Sequence, residues 1–140
     1  MHMEPELIKG NNHLDDRGKL TFNNDFCGFT VKKMYSIENY DLDFVRGWQG
    51  HQVEQRWFSA VTGSFKIKLI RIDKWENPAR NLPIAEFHLN AQNFDILHIP
   101  SGFVTSIQAL EKSSKLLVFG DYQLNELQDE FRFPNEYFNA

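Results

Sequence analysis

The sequence predicts an all-β fold, a jelly roll or closed barrel, and three observations carry the prediction. Gly and Pro recur at short intervals, at Gly10, Gly18, Gly28, Gly47, Gly50, Gly63, Pro78, Pro83, Pro100, Gly102 and Gly120, and leave apolar segments of strand length between them. Those segments are rich in β-branched and aromatic residues, which suit a pleated, half-buried surface. In Phe65, Ile67 and Leu69 the apolar side chains alternate with Lys66 and Lys68, the period-two pattern of a strand with one wet face.

The clearest strands are segments 30–38, 56–61, 64–72, 85–89, 94–99, 103–110 and 115–119. Thr62-Gly63-Ser64, between two strong strands, is expected as a tight hairpin connection. No segment before residue 121 fits the helical period. Eight or so short antiparallel strands favour closure, which removes exposed sheet edges. Residues 1–140 contain no repeat, low-complexity tract or linker, so one domain is expected. In the tail, from about residue 121, Phe131, Phe133, Tyr137 and Phe138 are placed to anchor a final strand or extension on the barrel or on a second subunit.

At 140 residues the chain can bury roughly two-thirds of its unfolded surface. Hydrophobic residues make up 41% and aromatics 14%, with thirteen Phe, enough for a core that needs no disulfide or structural metal. Cys27, the only cysteine, is expected as a small buried hydrophobe. Residues 1–10 carry Glu4 and Glu6 and no apolar run, against a signal peptide, and no stretch approaches the ~20 apolar residues of a membrane span. The expectation is a cytoplasmic protein with no membrane partner. A net charge of −4 argues against binding a phosphate backbone, so nucleic acid is not an expected partner either. The charge is uneven, with most cations before residue 75 and Glu126, Asp129, Glu130 and Glu136 in the tail, which leaves room for a locally basic pocket holding a small anion.

The densest cluster of chemistry-bearing residues runs from 46 to 58, Arg-Gly-Trp-Gln-Gly-His-Gln-Val-Glu-Gln-Arg-Trp-Phe. On a regular strand Gln49 and His51 share one face while Arg46 and Trp48 take the other. With the Gln49 face inward, an amide and an imidazole enter the barrel and Arg56 arrives from the next strand. The imidazole suits moving a proton on and off carbon beside a carbonyl, and a guanidinium suits holding an enolate oxygen or a phosphate. His13, His88 and His98 are read as satisfied or surface histidines, His98 as half exposed. Trp48, Trp57 and Phe58 fit a core as well as a ligand platform.

Four elements in order, Asp15-Asp16-Arg17-Gly18, Arg46-Gly47 with the following histidine, Gly63-Ser64, and Ile99-Pro100-Ser101-Gly102-Phe103, resemble those of the deoxysugar-nucleotide cupins. That group includes the dTDP-4-keto-6-deoxyhexose 3,5-epimerases and the smaller, WxcM-like 3,4-ketoisomerases. The resemblance spans residues 15–137 and implies a cupin-type, RmlC-like jelly-roll barrel. It implies a homodimer that isomerises or epimerises a nucleotide-linked 4-keto-6-deoxy sugar, dTDP-linked by analogy, through an enediolate, for surface-polysaccharide biosynthesis. No cofactor and no metal are implied.

Carried over by position, the epimerase base falls on Gln49, their second histidine on Thr105, and their tyrosine acid near Phe119. The second histidine of the ketoisomerase His-x-His pair falls on His51. His51, Gln49 and Arg56 are therefore the candidate catalytic residues, and Arg17, Arg46, Trp48 and Tyr122 the candidate substrate-binding ones, Arg17 through the diphosphate. A non-catalytic sugar-nucleotide-binding module is the second reading. A metal-dependent cupin enzyme is the third, with Gln49 standing where a first ligand is needed, Glu54 only loosely placed, and no later histidine on a suitable strand.

Overall fold

The computed structural model describes residues 3–139. Twelve strands make up its regular structure: β1 (Glu6–Ile8), β2 (Asn11–Asp15), β3 (Gly18–Phe22), β4 (Lys33–Ile37), β5 (Val45–His51), β6 (Arg56–Thr62), β7 (Ser64–Arg71), β8 (Ala85–Asn90), β9 (Ile96–Ile99), β10 (Phe103–Ala109), β11 (Lys115–Gly120) and β12 (Glu130–Arg132). Two five-stranded antiparallel sheets, ordered β1-β9-β6-β11-β4 and β12-β5-β10-β7-β8, pack face to face as a jelly-roll barrel, and β2 and β3 form a separate hairpin.

The alternation seen in β7 runs through both sheets. Phe58, Leu97, Leu116 and Val118 from one sheet meet Phe65, Ile67, Leu69 and Phe103 from the other in a single buried cluster. Removal of this much apolar surface from water is the main force holding the sheets together. A second cluster lies on the outer face of the β5 sheet, where Trp48, Ile70 and Val104 are covered by Phe138, with Phe133 and Tyr137 beside it. The tail thus wraps the barrel: β12 extends the sheet beyond β5, and the chain then turns back to seat Phe138 edge-on against Trp48, ring centroids 5.4 Å apart.

Several local expectations need correction. Thr62-Gly63-Ser64 is not a hairpin, because β6 and β7 belong to different sheets and the chain crosses between them at Gly63. Gly63 has a φ of +70°, and a side chain there would collide with Ser114, so the crossing admits only glycine. Cys27 is exposed rather than buried, since it lies on the irregular segment before β4 and not in a strand. His98 is buried, stacked on Trp57 at 5.1 Å, with its Nε2 2.7 Å from Gln55 Oε1.

The strand carrying the candidate site also departs from strict alternation. β5 and β10 pair through Gln49↔Thr105 and Arg46↔Ile107, so β5 holds one residue more than its partner across that interval. This bulge rotates Arg46 onto the same inward side as Gln49 and leaves Trp48 outside.

Phe138→Ala should leave the barrel folded but remove the anchor of the tail. A loss of about 3 kcal/mol in urea unfolding, with the m-value unchanged, is the expected result.

Candidate active site

One end of the barrel interior is polar. On the β6 sheet a cross-strand row places Lys33 of β4, Gly120 of β11 and Arg56 of β6 side by side. On the facing sheet His51 and Gln49 point inward beside Phe103 and Thr105, their partners on β10. All three candidate catalytic residues therefore lie at this end of the barrel, His51 bordering one cavity and Gln49 and Arg56 another.

His51 is held through one ring nitrogen. Its Nδ1 is 3.2 Å from the Asp129 carbonyl oxygen, which can only accept, so the proton resides on Nδ1 and the lone pair on Nε2. Nε2 faces Glu54 Oε2 at 3.7 Å. Burial, reinforced by the neighbouring Arg56 charge and by Lys33, lowers the His51 pKa from 6.5 to about 4, against the opposing pull of Asp129. At neutral pH His51 is a neutral base.

Arg56 is only 4% exposed, with its guanidinium 5.1 Å from the Phe58 ring centroid. Its Nη2 lies 3.5 Å from the Gln49 carbonyl oxygen, and Tyr35 lines the same small cavity. Burial pulls the Arg56 pKa down while Tyr35 and Glu54 pull it up. Gln49 donates from Nε2 to Glu130 Oε1 at 2.9 Å. Gln49, Arg56, Arg46, Tyr35 and Thr105 enclose a cavity of about 40 Å³, room for a water and not for a sugar ring. A second cavity of about 540 Å³, ligand-sized, is bounded by His51, Glu54 and Lys33 and roofed by tail residues from Gln123 to Phe131.

The tail is fixed to this mouth by one carboxylate. Asp129 accepts three consecutive backbone N–H groups of the β5–β6 turn, from Gln52, Val53 and Glu54, at 2.8–2.9 Å. The same residue supplies the carbonyl that orients His51.

The remaining candidates fare differently. Arg17 sits at the tip of the β2–β3 hairpin with its side chain 86% exposed, bonded to Asp15 at 2.7 Å and lining neither cavity. Trp48 faces the outer cluster, where its Nε1 donates to the Asn135 carbonyl, so it acts as core rather than ligand platform. Tyr122 lies past β11 with Lys32 Nζ 5.9 Å from its ring centre, outside both cavities. Phe119 points outward onto Phe26, and the inward place at that end of β11 belongs to Gly120. Thr105 faces inward and bonds the Gln49 carbonyl.

Tyr35, Lys33 and Asp129 were not singled out by sequence reasoning. Lys33, Tyr35 and Ile37 share one face of β4 at period two, a signal that was available. Asp129 gave none, since its role depends on bonds to residues 75–77 positions away in the chain. Among the described residues no three His, Cys, Asp or Glu side chains converge as a metal-ligand set, and no helix is long and apolar enough to cross a membrane.

A family model described as FdtA: WxcM-like, C-terminal matches residues 3–140. No curated protein matches. Among solved structures, the 3,4-ketoisomerase QdtA of Thermoanaerobacterium thermosaccharolyticum aligns over 99% of this chain and 94% of its own. As a His-to-Asn mutant with TDP-4-keto-6-deoxyglucose it has TM-score 0.72 and 24% identity, and as a double mutant with TDP, 0.71 and 25%. A 3,4-ketoisomerase from Helicobacter canadensis covers 97% and 96% of the two chains at TM-score 0.72 and 23% identity. The rmlC epimerase of Mycobacterium tuberculosis covers 92% and 68% at 0.71 and 17%. These likenesses establish the RmlC-like fold.

Two outcomes test this geometry. His51 binds a proton in the unfolded chain near pH 6.5 but in the fold only near 4, so its contribution to stability is full above pH 6.5 and is lost as pH falls toward 4. Buried His98 acts in the same direction. In His51→Asn, urea unfolding measured from pH 7 to 4 should show a shallower loss, with the His98 share remaining. Asp129→Ala should lower stability by about 2–4 kcal/mol and abolish slow hydrogen exchange at the Gln52, Val53 and Glu54 amides.

Proposed function

We propose, for a chain that belongs to the FdtA: WxcM-like, C-terminal family, that it isomerises a nucleotide-linked 4-keto-6-deoxy sugar by moving a proton between adjacent carbons through an enediolate. The observation that carries this reading is a buried, neutral imidazole with a fixed tautomer at the wall of a ligand-sized cavity, beside a buried guanidinium. His51 takes the proton from the carbon beside the carbonyl. The electron pair left behind becomes the enediolate, whose oxygen charge is stabilised by the Arg56 cation. Return of that proton to the former carbonyl carbon, with the hydroxyl proton passing from one oxygen to the other, relocates the carbonyl. The step is redox-neutral within the substrate and needs no co-reactant.

Ketoisomerisation is favoured over 3,5-epimerisation, because the position matching the epimerase base is Gln49, whose amide is committed to Glu130. A thymidine diphosphate carrier is supported by the ligands of the QdtA structures, TDP-4-keto-6-deoxyglucose and TDP. The working form is a homodimer in the cytoplasm. Among the described residues Arg17 bonds only to Asp15, and its hairpin exposes Leu14 and Leu20. A contact between Arg17 and the diphosphate therefore calls for a partner whose cavity receives the hairpin.

Incubation with TDP-4-keto-6-deoxyglucose in deuterated buffer should give exchange next to the carbonyl and a 3-keto product. His51→Asn should lower the rate by two to four decades with nucleotide affinity nearly intact, and Arg56→Ala by about two to three decades. Wild-type protein that binds the nucleotide yet exchanges nothing would be the binding module instead. Light scattering should give twice the 16.5 kDa chain mass.

A further inference from the structure

Glu54 occupies an unusual position for a carboxylate. Its side chain is 5% exposed, Oε1 accepts from Lys33 Nζ at 2.8 Å, and Oε2 is buried with no hydrogen-bond donor among the described residues. A buried acceptor left without a donor is costly and rare in native folds. This one lies 3.7 Å from His51 Nε2, the nitrogen that carries the lone pair. Room for it comes from Gly120. A methyl group at that inward position of β11 would stand 3.0 Å from Glu54 Oε2, so a larger residue would push the carboxylate away from the ring.

We propose that Glu54 is a positioning residue for His51, its unpartnered oxygen held in place as the counter-charge to the imidazolium formed when His51 takes a proton from substrate. The role rests on the isomerase reading for its catalytic consequence, though not for the pairing itself. Before proton transfer, a lone pair and a carboxylate oxygen face one another and neither is satisfied. After it, a cation stands where Glu54 attracts it most, so the interaction strengthens along the reaction rather than in the resting state. Four charged groups face the ring: Glu54 from the β5–β6 turn, Arg56 from β6, Lys33 from β4 and Asp129 from the tail, while Glu130, paired with His51 on β12, gives its carboxylate to Gln49 and Arg132. Arg56 and Lys33 disfavour the imidazolium, and Lys33 also fixes Glu54, so Glu54 is the near anion on the Nε2 side.

The test is an NMR titration of the His51 ring alongside the pH dependence of kcat and KM. Glu54→Gln keeps the shape and removes the charge. The His51 midpoint should fall by about one unit or more and kcat by about tenfold or more, with KM little changed. Glu54→Asp should restore part of both. Lys33→Gln should move the midpoint up, and the charge-balanced Lys33→Gln/Glu54→Gln pair should lie between wild type and Glu54→Gln. That double variant also serves if Glu54→Gln alone cannot fold around an unpaired ammonium. A midpoint unchanged in both Glu54→Gln and the double variant overturns the proposal, as does a shifted midpoint with wild-type kcat in active enzyme. A protein that shows the shift but turns over no 4-keto sugar upholds the pairing and overturns the isomerase reading instead.

Discussion

A guanidinium enclosed on β6 governs what else the mouth of the barrel must contain. Arg56 lies among aromatic and aliphatic side chains, where a lone charge would be strongly disfavoured, so its surroundings have to supply acceptors and nearby negative charge. The Gln49 carbonyl supplies an acceptor, and Tyr35 and Glu54 favour the charged form. In turn the Arg56 field helps keep His51 uncharged and available as a base. The polarity of this end is therefore one connected arrangement, in which each ionisable group shapes the protonation of its neighbours.

The second dependence runs from the tail to the site. Three amides of the β5–β6 turn would otherwise lack partners beneath the roof, and Asp129 gathers all three while its own carbonyl sets the His51 tautomer. Phe138, seated on Trp48 at the far end of the tail, keeps that roof from lifting. Packing on the outer face and chemistry on the inner face are thus joined through the ten residues 129–138, mostly irregular chain.

Much of the barrel was legible because its strands obey a simple period. β6, β7, β8, β10 and β11 begin or end within a residue or two of their sequence-based bounds. β1, β2 and β3 escaped because they are short and, in Asn11–Asp15, largely polar, so no apolar alternation marks them, while β12 falls in the tail where a final strand or extension was expected. At the site, His51, Gln49 and Arg56 were singled out from residue type and spacing; they lie at one end of the barrel, His51 on the larger cavity and the other two on the smaller. The facing of Arg46 was misjudged, since a single bulge reverses the parity on which that reading depends. Trp48 could not be told from a core residue because a large aromatic serves both roles equally well. Glu54 was noticed only as a possible ligand, and its relation to His51 depends on Gly120, more than sixty residues away.

The crossing at Gly63 has a kinetic consequence. Because the chain changes sheets there, β6 finds its partners in β9 and β11, and β7 finds β10, while only β2–β3 and β7–β8 pair with a neighbour in sequence. Nearly every ladder closes a long loop before it gains a contact, the topology associated with folding in milliseconds to seconds rather than microseconds. The sheet that opens with β1 is not complete until β11 has left the ribosome. During synthesis, β4 and β5 must wait unpaired until β11 and β10 have been made.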